Sequence, residues 1–459
     1  MAQGKYQRKR RRINPGFIIT ILILLAIIAV SAYFLITFLG SNSSDAPAKP
    51  STPAETTPTT TAPPPTETTA PAPTEPYIAS TASVGVTGDI MGHMPVVNAC
   101  KTADGYDFTN VFAHVKPYYE QMDYMVANLE VNLGGTAAGP YQGYPTFNCP
   151  DDIATGLKDA GVDMVLTANN HSYDIGHDSF HRTQTVVTEI GLEHLGTRTS
   201  TDEKEYLIKD LNGIKVGMVC YTYETGDPSN PRKQLNGIPL TVDDSALVSS
   251  FNYLDLEGFY AEVSDTLADM AEEGAEASMV YIHWGDEYAL APNKNQEAIA
   301  QKLCELGVDV IVGGHPHVVE PYKTLTSSTG HNTYCMYSVG NAISNQRADT
   351  LANTTRNARY TEDGMIFQVV FQKWNDGTVE VGQINILPTW VNKEYQNGKM
   401  VYQIIPLDTS LENWDGFNVG SVQNTYASYE RTMSIVGNGL NECREALLLT
   451  PAPMTYEPQ

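Results

Sequence analysis

Five short apolar runs of this chain each lead into carboxylate, amide or imidazole side chains, and any fold has to put those five endings somewhere. The clearest is VIVGGHPHVV (310–319), in which a mostly β-branched run meets two glycines and delivers His315 and His317 on either side of Pro316. That is strand chemistry closing in a loop. Glycine lets the backbone turn where a Cβ would clash, and proline stiffens the link between the two rings. SVGVTGDI (83–90) reaches Asp89, MDYMVANLE (122–130) reaches Asn128 and Glu130, and VDMVLTANNH (162–171) reaches Asn169, Asn170 and His171. SMVYIHWGDEY (278–288) carries His283, Trp284 and Asp286, whereas KVGMVCYTYE (215–224) is a strand with no evident ligand at its end.

Helical spacing falls between these runs, at 153–160, 259–273 and 296–306; in the last, Ile299, Leu303 and Leu306 stand at i, i+4 and i+7. Further strands are expected at 332–341 and 365–374, the second turning through NDG (375–377) into VEVGQINIL as a hairpin. Strands alternating with helices and then giving way to antiparallel hairpins imply an α/β sandwich with a mixed sheet. The folded domain is expected over 77–390. A C-terminal extension, 391–459, with helical stretches near 426–436 and 440–449, should pack on it.

The N-terminus is a different material. Residues 1–16 are basic, and 17–39 form an uncharged, predominantly apolar run. A run of about 20 residues spans the hydrocarbon core of a bilayer, so 17–39 reads as a transmembrane helix. The basic cluster ahead of it should stay cytoplasmic, placing the chain in the cell membrane as a single-pass protein with its C-terminal bulk outside. A cleaved signal peptide is the rival reading, against which the run is longer than the usual apolar region of about 7 to 15 residues. Residues 40–76, rich in Pro, Thr, Ser and Ala, cannot bury a core and read as a disordered stalk.

The formal net charge of -25 argues against a nucleic-acid partner. The six cysteines show no CxxC spacing, which argues against a thiolate zinc site. Cys220, Cys304 and Cys335 lie in apolar runs and read as core thiols, while Cys100 and Cys149 are a candidate disulfide.

Taken singly, each strand ending has a bland reading. Asp89 can be a turn residue, Glu130 and Asp286 solvated charges, Asn170 and His171 a helix cap, and His283 a satisfied core histidine beside Trp284. Together they offer carboxylates, an amide oxygen and imidazoles at the carboxyl edge of a sheet, which is what one or two divalent ions need. Asp89, Glu130, Asn170, His283, His315 and His317 are the candidate metal ligands and His171 the candidate catalytic residue. His93, Asn128, Asn169, Trp284, Asp286, Ser338 and Asn341 are candidates to line the same site.

The ordered series GD, NLE, NNH, HWG, GGHPH and SxGN resembles the CapA/PgsA-type capsule-synthesis proteins associated with poly-γ-glutamate, whose domain belongs to the calcineurin-like metallophosphoesterase superfamily. The resemblance runs from Ser83 to about Pro388. It implies an αββα sandwich of the metallo-dependent phosphatase type. It also implies that Asp89 is the first metal aspartate, Glu130 the bridging carboxylate, Asn170 the amide ligand and His283, His315 and His317 the metal imidazoles, with His171 facing the substrate. Ser338, Gly340 and Asn341 match a closing turn. Two departures stand out: phosphoesterases open with DxH, whereas the nearest histidine after Asp89 is His93, and Glu130 replaces an aspartate.

The function expected on these grounds is a membrane-anchored extracytoplasmic protein of capsule synthesis or export, acting on an acidic polymer beside a membrane-embedded ligase. Its cofactor would be one or two ions of manganese, iron or zinc. The alternatives are an independent metal-dependent phosphoesterase, with a phosphoester substrate, and a binding module with a degenerate metal site.

Overall fold

The computed structural model describes residues 75–411, 414, 417 and 419–447. The strands in chain order are β1 (Ile78–Ile90), β2 (Tyr124–Leu129), β3 (Met164–Leu166), β4 (Glu193–Leu195), β5 (Tyr206–Leu211), β6 (Ile214–Glu224), β7 (Gln234–Leu235), β8 (Ile238–Pro239) and β9 (Ser250–Asn252). They continue with β10 (Ala277–His283), β11 (Val310–Gly314), β12 (Tyr322–Thr326), β13 (Asn332–Met336), β14 (Asn341–Ile343), β15 (Asp363–Trp374), β16 (Val379–Gln396) and β17 (Lys399–Pro406).

Two mixed sheets result. The first has the order β17-β16-β15-β1-β2-β3-β4, with β14 also pairing β1, and the second the order β12-β13-β11-β10-β6-β5, with β9 on β6. In the first, β1 to β4 run parallel, and β15 and β16 are the hairpin anticipated from the NDG turn, which β17 extends into an antiparallel meander. In the second, β6, β10, β11 and β13 run parallel.

Side-chain alternation explains the layering. In β2, Tyr124 and Val126 face one core while Met125, Ala127 and Leu129 face another. In β10, Met279 and Tyr281 share the core of Val126, whereas Val280 and Ile282 turn the other way. The shared core is therefore the seam between the sheets. The outer face of the first sheet is covered by Val96, Phe112, Tyr118 and Leu157 from short helices. That of the second is covered by Phe259 and Val263 of helix Leu256–Glu272 and by Ile299 and Leu303 of helix Lys294–Glu305. Helix, sheet, sheet, helix is the resulting stack, with strands buried on both faces, as continuous apolar runs demand. Helix Lys294–Glu305 begins with a capping box between Asn293 and Gln296. Truncating its fully buried Leu303 to Ala would cost about 2–5 kcal/mol.

Several details differ from expectation. Position 390, expected to end the domain, falls inside β16, which continues to Gln396 and pairs with β17. The two helical stretches of the tail are one helix, Val422–Ala446, because nothing between them breaks the i→i−4 ladder. It packs on β16 and β12, and Arg431 clamps the buried Asp363 at 2.7 and 2.6 Å. Helix His177–Ile190, starting after Gly176, was not anticipated, because its polar residues obscure the apolar period. Cys100 and Cys149 are separate buried thiols rather than a disulfide, and Cys220, Cys304 and Cys335 are buried thiols as expected.

Among the described residues no helix is long and apolar enough to cross a membrane. The basic segment 1–16, the expected span 17–39 and the linker up to residue 74 lie outside the described residues.

Candidate metal centre

The carboxyl ends of β1, β2, β3, β10 and β11 open on one edge of the sandwich. Register across the first sheet sets Asn341, Asp89 and Asn128 side by side, and register across the second does the same for Thr222, His283 and Gly314. Glycine is required at two of these approaches. A Cβ on Gly88 would fall 1.9 Å from the Gly340 carbonyl oxygen, and one on Gly313 would fall 2.0 Å from that of Tyr337. His315 and His317 then adopt φ of 95° and 57°, left-handed values that cost about 1–3 kcal/mol each in a non-glycine residue and gather at functional sites.

The structure brings the expected residues together in two overlapping groups. Glu130, His283 and His315 form one and Asp89, Glu130 and His317 the other, the donor atoms within each group lying within 4.8 Å of one another. Glu130 belongs to both: its Oε1 is 3.5 Å from His283 Nε2 and 3.8 Å from His317 Nε2. Asn170 Oδ1 stands 2.7 Å from His283 Nε2. Asp89 Oδ2 stands 3.1 Å from His317 Nδ1. All of these residues are buried.

Partners hold the donors in place. Asn128 Nδ2 donates to Asp89 Oδ1 at 2.7 Å and to Glu130 Oε2 at 3.3 Å, and Asn169 Nδ2 donates to Asn128 Oδ1 at 3.2 Å. Asn341 lies against His317, Oδ1 to Nδ1 at 3.2 Å, and donates to Gln346 and to the Thr361 carbonyl. Burial raises the Asp89 carboxyl, but its hydrogen bond to His317 and the charges of His317 and His283 outweigh that and bring it down. Burial lowers His317, yet Glu130, Asp89 and Glu287 bring it up to about 9. His315 is driven far down by burial and by its imidazole neighbours, so it stays a neutral ring with a lone pair to offer.

His171 stands beside this group. Its Nδ1 is 2.7 Å from Asp174 Oδ2, and that oxygen also accepts from the Phe147 N–H at 2.7 Å. Phe147 meets His171 edge-on at 4.8 Å and His93 at 5.2 Å, so His93 approaches from one residue further out. Burial, followed by the charges of His317 and His171, pushes His93 down to about 3.

Three candidates turn away from the site. Trp284 is core: its Nε1 donates to the Tyr337 carbonyl at 2.9 Å and its ring stacks on Tyr337. Asp286 is exposed and accepts from Asn293 Nδ2 at 2.9 Å, next to the start of a helix. Ser338 donates to the Val318 carbonyl at 2.8 Å, bracing the loop from below.

Other residues at the site gave no clear sign in the sequence. Asp174 sits three residues after His171, where a carboxylate partner could have been sought. Tyr223, from the strand with no evident ligand, packs 4.9 Å from His315, and Tyr288, at φ 64°, packs 6.3 Å from His317. Asn236, at the tip of the β7–β8 hairpin, accepts from Asn170 Nδ2 at 3.0 Å. The Asn-Gly pair announces that turn, but nothing local says where its tip will land.

The donor set fits a divalent cation on its own chemistry. Among the described residues Glu130 Oε1 and His315 Nδ1 are buried without a hydrogen-bond partner, which native interiors avoid unless another ligand is meant to fill the role. Imidazoles, carboxylates and an amide oxygen suit zinc, manganese or iron.

Residues 83–346 match the model of the family described as bacterial capsule synthesis protein PGA_cap. The chain belongs to that family. PGA_cap membership covers every residue of the two donor groups. The chain is 26% identical over 349 residues to the PGA biosynthesis protein CapA of Bacillus subtilis (strain 168), covering 73% of this chain and 80% of that protein. It is 26% identical over 265 residues to the capsule biosynthesis protein CapA of Bacillus anthracis, covering 57% of this chain and 59% of that one. Among solved structures it aligns with Haemophilus influenzae NAD nucleotidase (NadN) at a TM-score of 0.39 and 11% identity, covering 81% of this chain and 60% of that one.

Proposed function

We propose that this chain is a membrane-anchored, extracytoplasmic capsule-synthesis protein whose metal centre acts on an acidic polymer of the poly-γ-glutamate type during its synthesis or export, alongside a membrane-embedded ligase. Family membership supports the capsule role, and the apolar run at 17–39 behind a basic segment supports the anchor. The observation that carries the chemistry is Glu130, whose Oε1 faces both His283 Nε2 and His317 Nε2.

In this reading Asp89, Glu130 and His317 would hold one cation, and Glu130, Asn170, His283 and His315 would hold the other. A bound divalent cation supplies Lewis-acid polarisation of a substrate oxygen and makes water acidic enough to attack near neutral pH. The protein does the rest. Asn128 and Asn341 orient the two edges of the ligand set, and burial keeps bulk water from competing for it. Asp174 orients His171 through Nδ1, leaving Nε2 to hand a proton to a leaving group or to steady charge there. A net charge of -25 gives no broad attraction for a polyanion, so recognition rests on the local cations and imidazoles.

The test is a strain in which Glu130→Ala replaces the native residue at an unchanged protein level. Surface polymer is expected to fall sharply; polymer at the wild-type amount would overturn the reading. A second reading, an independent phosphoesterase, draws on the His171–Asp174 pair. Purified protein loaded with manganese, iron or zinc would then hydrolyse aryl phosphates or nucleotides, with the rate lost in His171→Ala. A metal-loaded protein inert on all of them would exclude it.

A further inference from the structure

A second set of donors lies outside the centre described above. His177 and His181 stand one helical turn apart on helix His177–Ile190, so their side chains share a face. Both meet the same carboxylate. His177 Nδ1 is 2.8 Å from Asp244 Oδ2, and His181 Nε2 is 2.9 Å from Asp244 Oδ1. One donor atom from each of the three residues falls within 4.8 Å of the others.

The set is built from below. The Asp244 side chain is 1% exposed, whereas those of His177 and His181 are 55% and 33% exposed, so the carboxylate is a floor and the imidazoles an open rim. Tyr173 Oη donates to Asp244 Oδ2 at 2.5 Å, and the Asp244 N–H donates to Thr241 Oγ1 at 3.0 Å, fixing both the carboxylate and its backbone. A carboxylate braced by an outer hydrogen bond is how metal sites aim such ligands. Burial raises this carboxyl, but hydrogen bonds from Tyr173, His177 and His181 hold it at about 2, so it is ionised.

We propose that His177, His181 and Asp244 form a second cation site at the surface, taking a borderline transition-metal ion such as zinc, cobalt(II) or nickel(II). Two imidazoles at i and i+4 with a third protein ligand leave a coordination position open to water, as zinc sites with three protein ligands do. Imidazole-rich sets select these metals over magnesium or calcium. The bland alternative is a pair of surface histidines hydrogen-bonded to an aspartate. It accounts for each contact, whereas a cation site also accounts for two rings converging on opposite oxygens of one buried carboxylate.

The site has a structural consequence. Asp244 belongs to the stretch 225–248, which also carries the β7–β8 hairpin and packs Leu235, Leu240 and Val248 against Tyr173 and Phe180. The hairpin tip, Asn236, contacts Asn170 and lies 3.5 Å from His171 Nδ1. A cation bridging Asp244 to helix His177–Ile190 fastens this stretch beside His171.

The experiment uses the intact protein dialysed against cobalt(II) or zinc, with metal per chain counted and the cobalt absorption spectrum recorded. The His177→Gln/His181→Gln double variant is expected to bind one equivalent fewer than wild type while its circular dichroism is unchanged. Glu130→Ala is expected to keep that outer equivalent. Single His181→Ala should weaken it by at least about 10-fold, which guards against misfolding of the double variant. Hydrogen exchange across 234–239 should slow on cation addition in wild type and not in the double variant. Equal metal content in wild type and the folded double variant, or loss of every equivalent in Glu130→Ala, would overturn the proposal.

Discussion

The Oδ2 of Asp89 lies 3.1 Å from Nδ1 of His317, 228 residues further along the chain. One residue ends β1 of the first sheet and the other follows β11 of the second, so the contact closes the seam between the sheets. In the cation-free protein it is a buried ion pair, with Asp89 lowered and His317 raised to about 9. His317→Ala leaves Asp89 buried without that partner and should cost about 3–5 kcal/mol in urea unfolding of the cation-free protein. An unchanged midpoint would show that the pair is not charged.

Glu130 belongs to the same charge balance. Its Oε1 lies 3.8 Å from Nε2 of the charged His317, whose raised value it helps to set, so without a cation the carboxylate is balanced by that imidazolium. Glu130→Gln should therefore melt lower than wild type when both are stripped with chelator. Added manganese should raise the wild-type melting temperature, by a stabilisation of about 2.7 kcal/mol at 100 times the dissociation constant, and leave the variant nearly unmoved. A variant that gains as much as wild type would remove Glu130 from the ligand set.

Asp174 should act on the chemistry through His171 and not through the donors around Glu130. Asp174→Ala removes the acceptor that fixes the His171 tautomer, while the donors around Glu130 stay as they are. Metal content should be unchanged, and any hydrolytic rate should fall on the order of 100-fold. Loss of metal together with rate would mean that Asp174 supports the ligand set and not the proton.

Much of this cluster was legible in the sequence because each candidate donor lies at or just past the end of a strand whose period marks that end. Parallel strands must all deliver those ends to one edge, so finding the strands nearly locates Asp89, Glu130, His283 and His315. Trp284 and Asp286 misled for the same reason: they follow His283 closely, but one turns into the core and the other to Asn293. Neighbours in sequence at a strand end point in different directions. Tyr223 and Asn236 were hidden for another reason. A tyrosine ending a strand reads as core, and the hairpin carrying Asn236 is placed by Leu235 and Leu240 packing on Tyr173 and Phe180, a tertiary contact without local trace.

Glu320, three residues beyond His317, offers a test of the fold apart from the metal. It is fully buried, and Gln296 Nε2 donates to its Oε2 at 2.7 Å, bracing helix Lys294–Glu305 against the ligand loop. Burial drives its carboxyl from the ordinary 4.5 up to about 8, with the Gln296 hydrogen bond pulling the other way and Asp286 adding to the rise. The folded value is raised, so between those two values the native state keeps a proton that the unfolded chain has released. The stabilisation is complete below pH 4.5, declines at about 1.4 kcal/mol per pH unit, and is lost as the pH rises through about 8. Glu320→Gln has nearly the same shape, still accepts from Gln296 and has no proton to lose. Its contribution should stay level across this window, so wild type and variant should match in urea unfolding near the lower limit and separate by several kcal/mol near the upper one. Parallel loss of stability in the two proteins would mean that Glu320 is ionised in the native state and that Gln296 and its surroundings carry a buried charge.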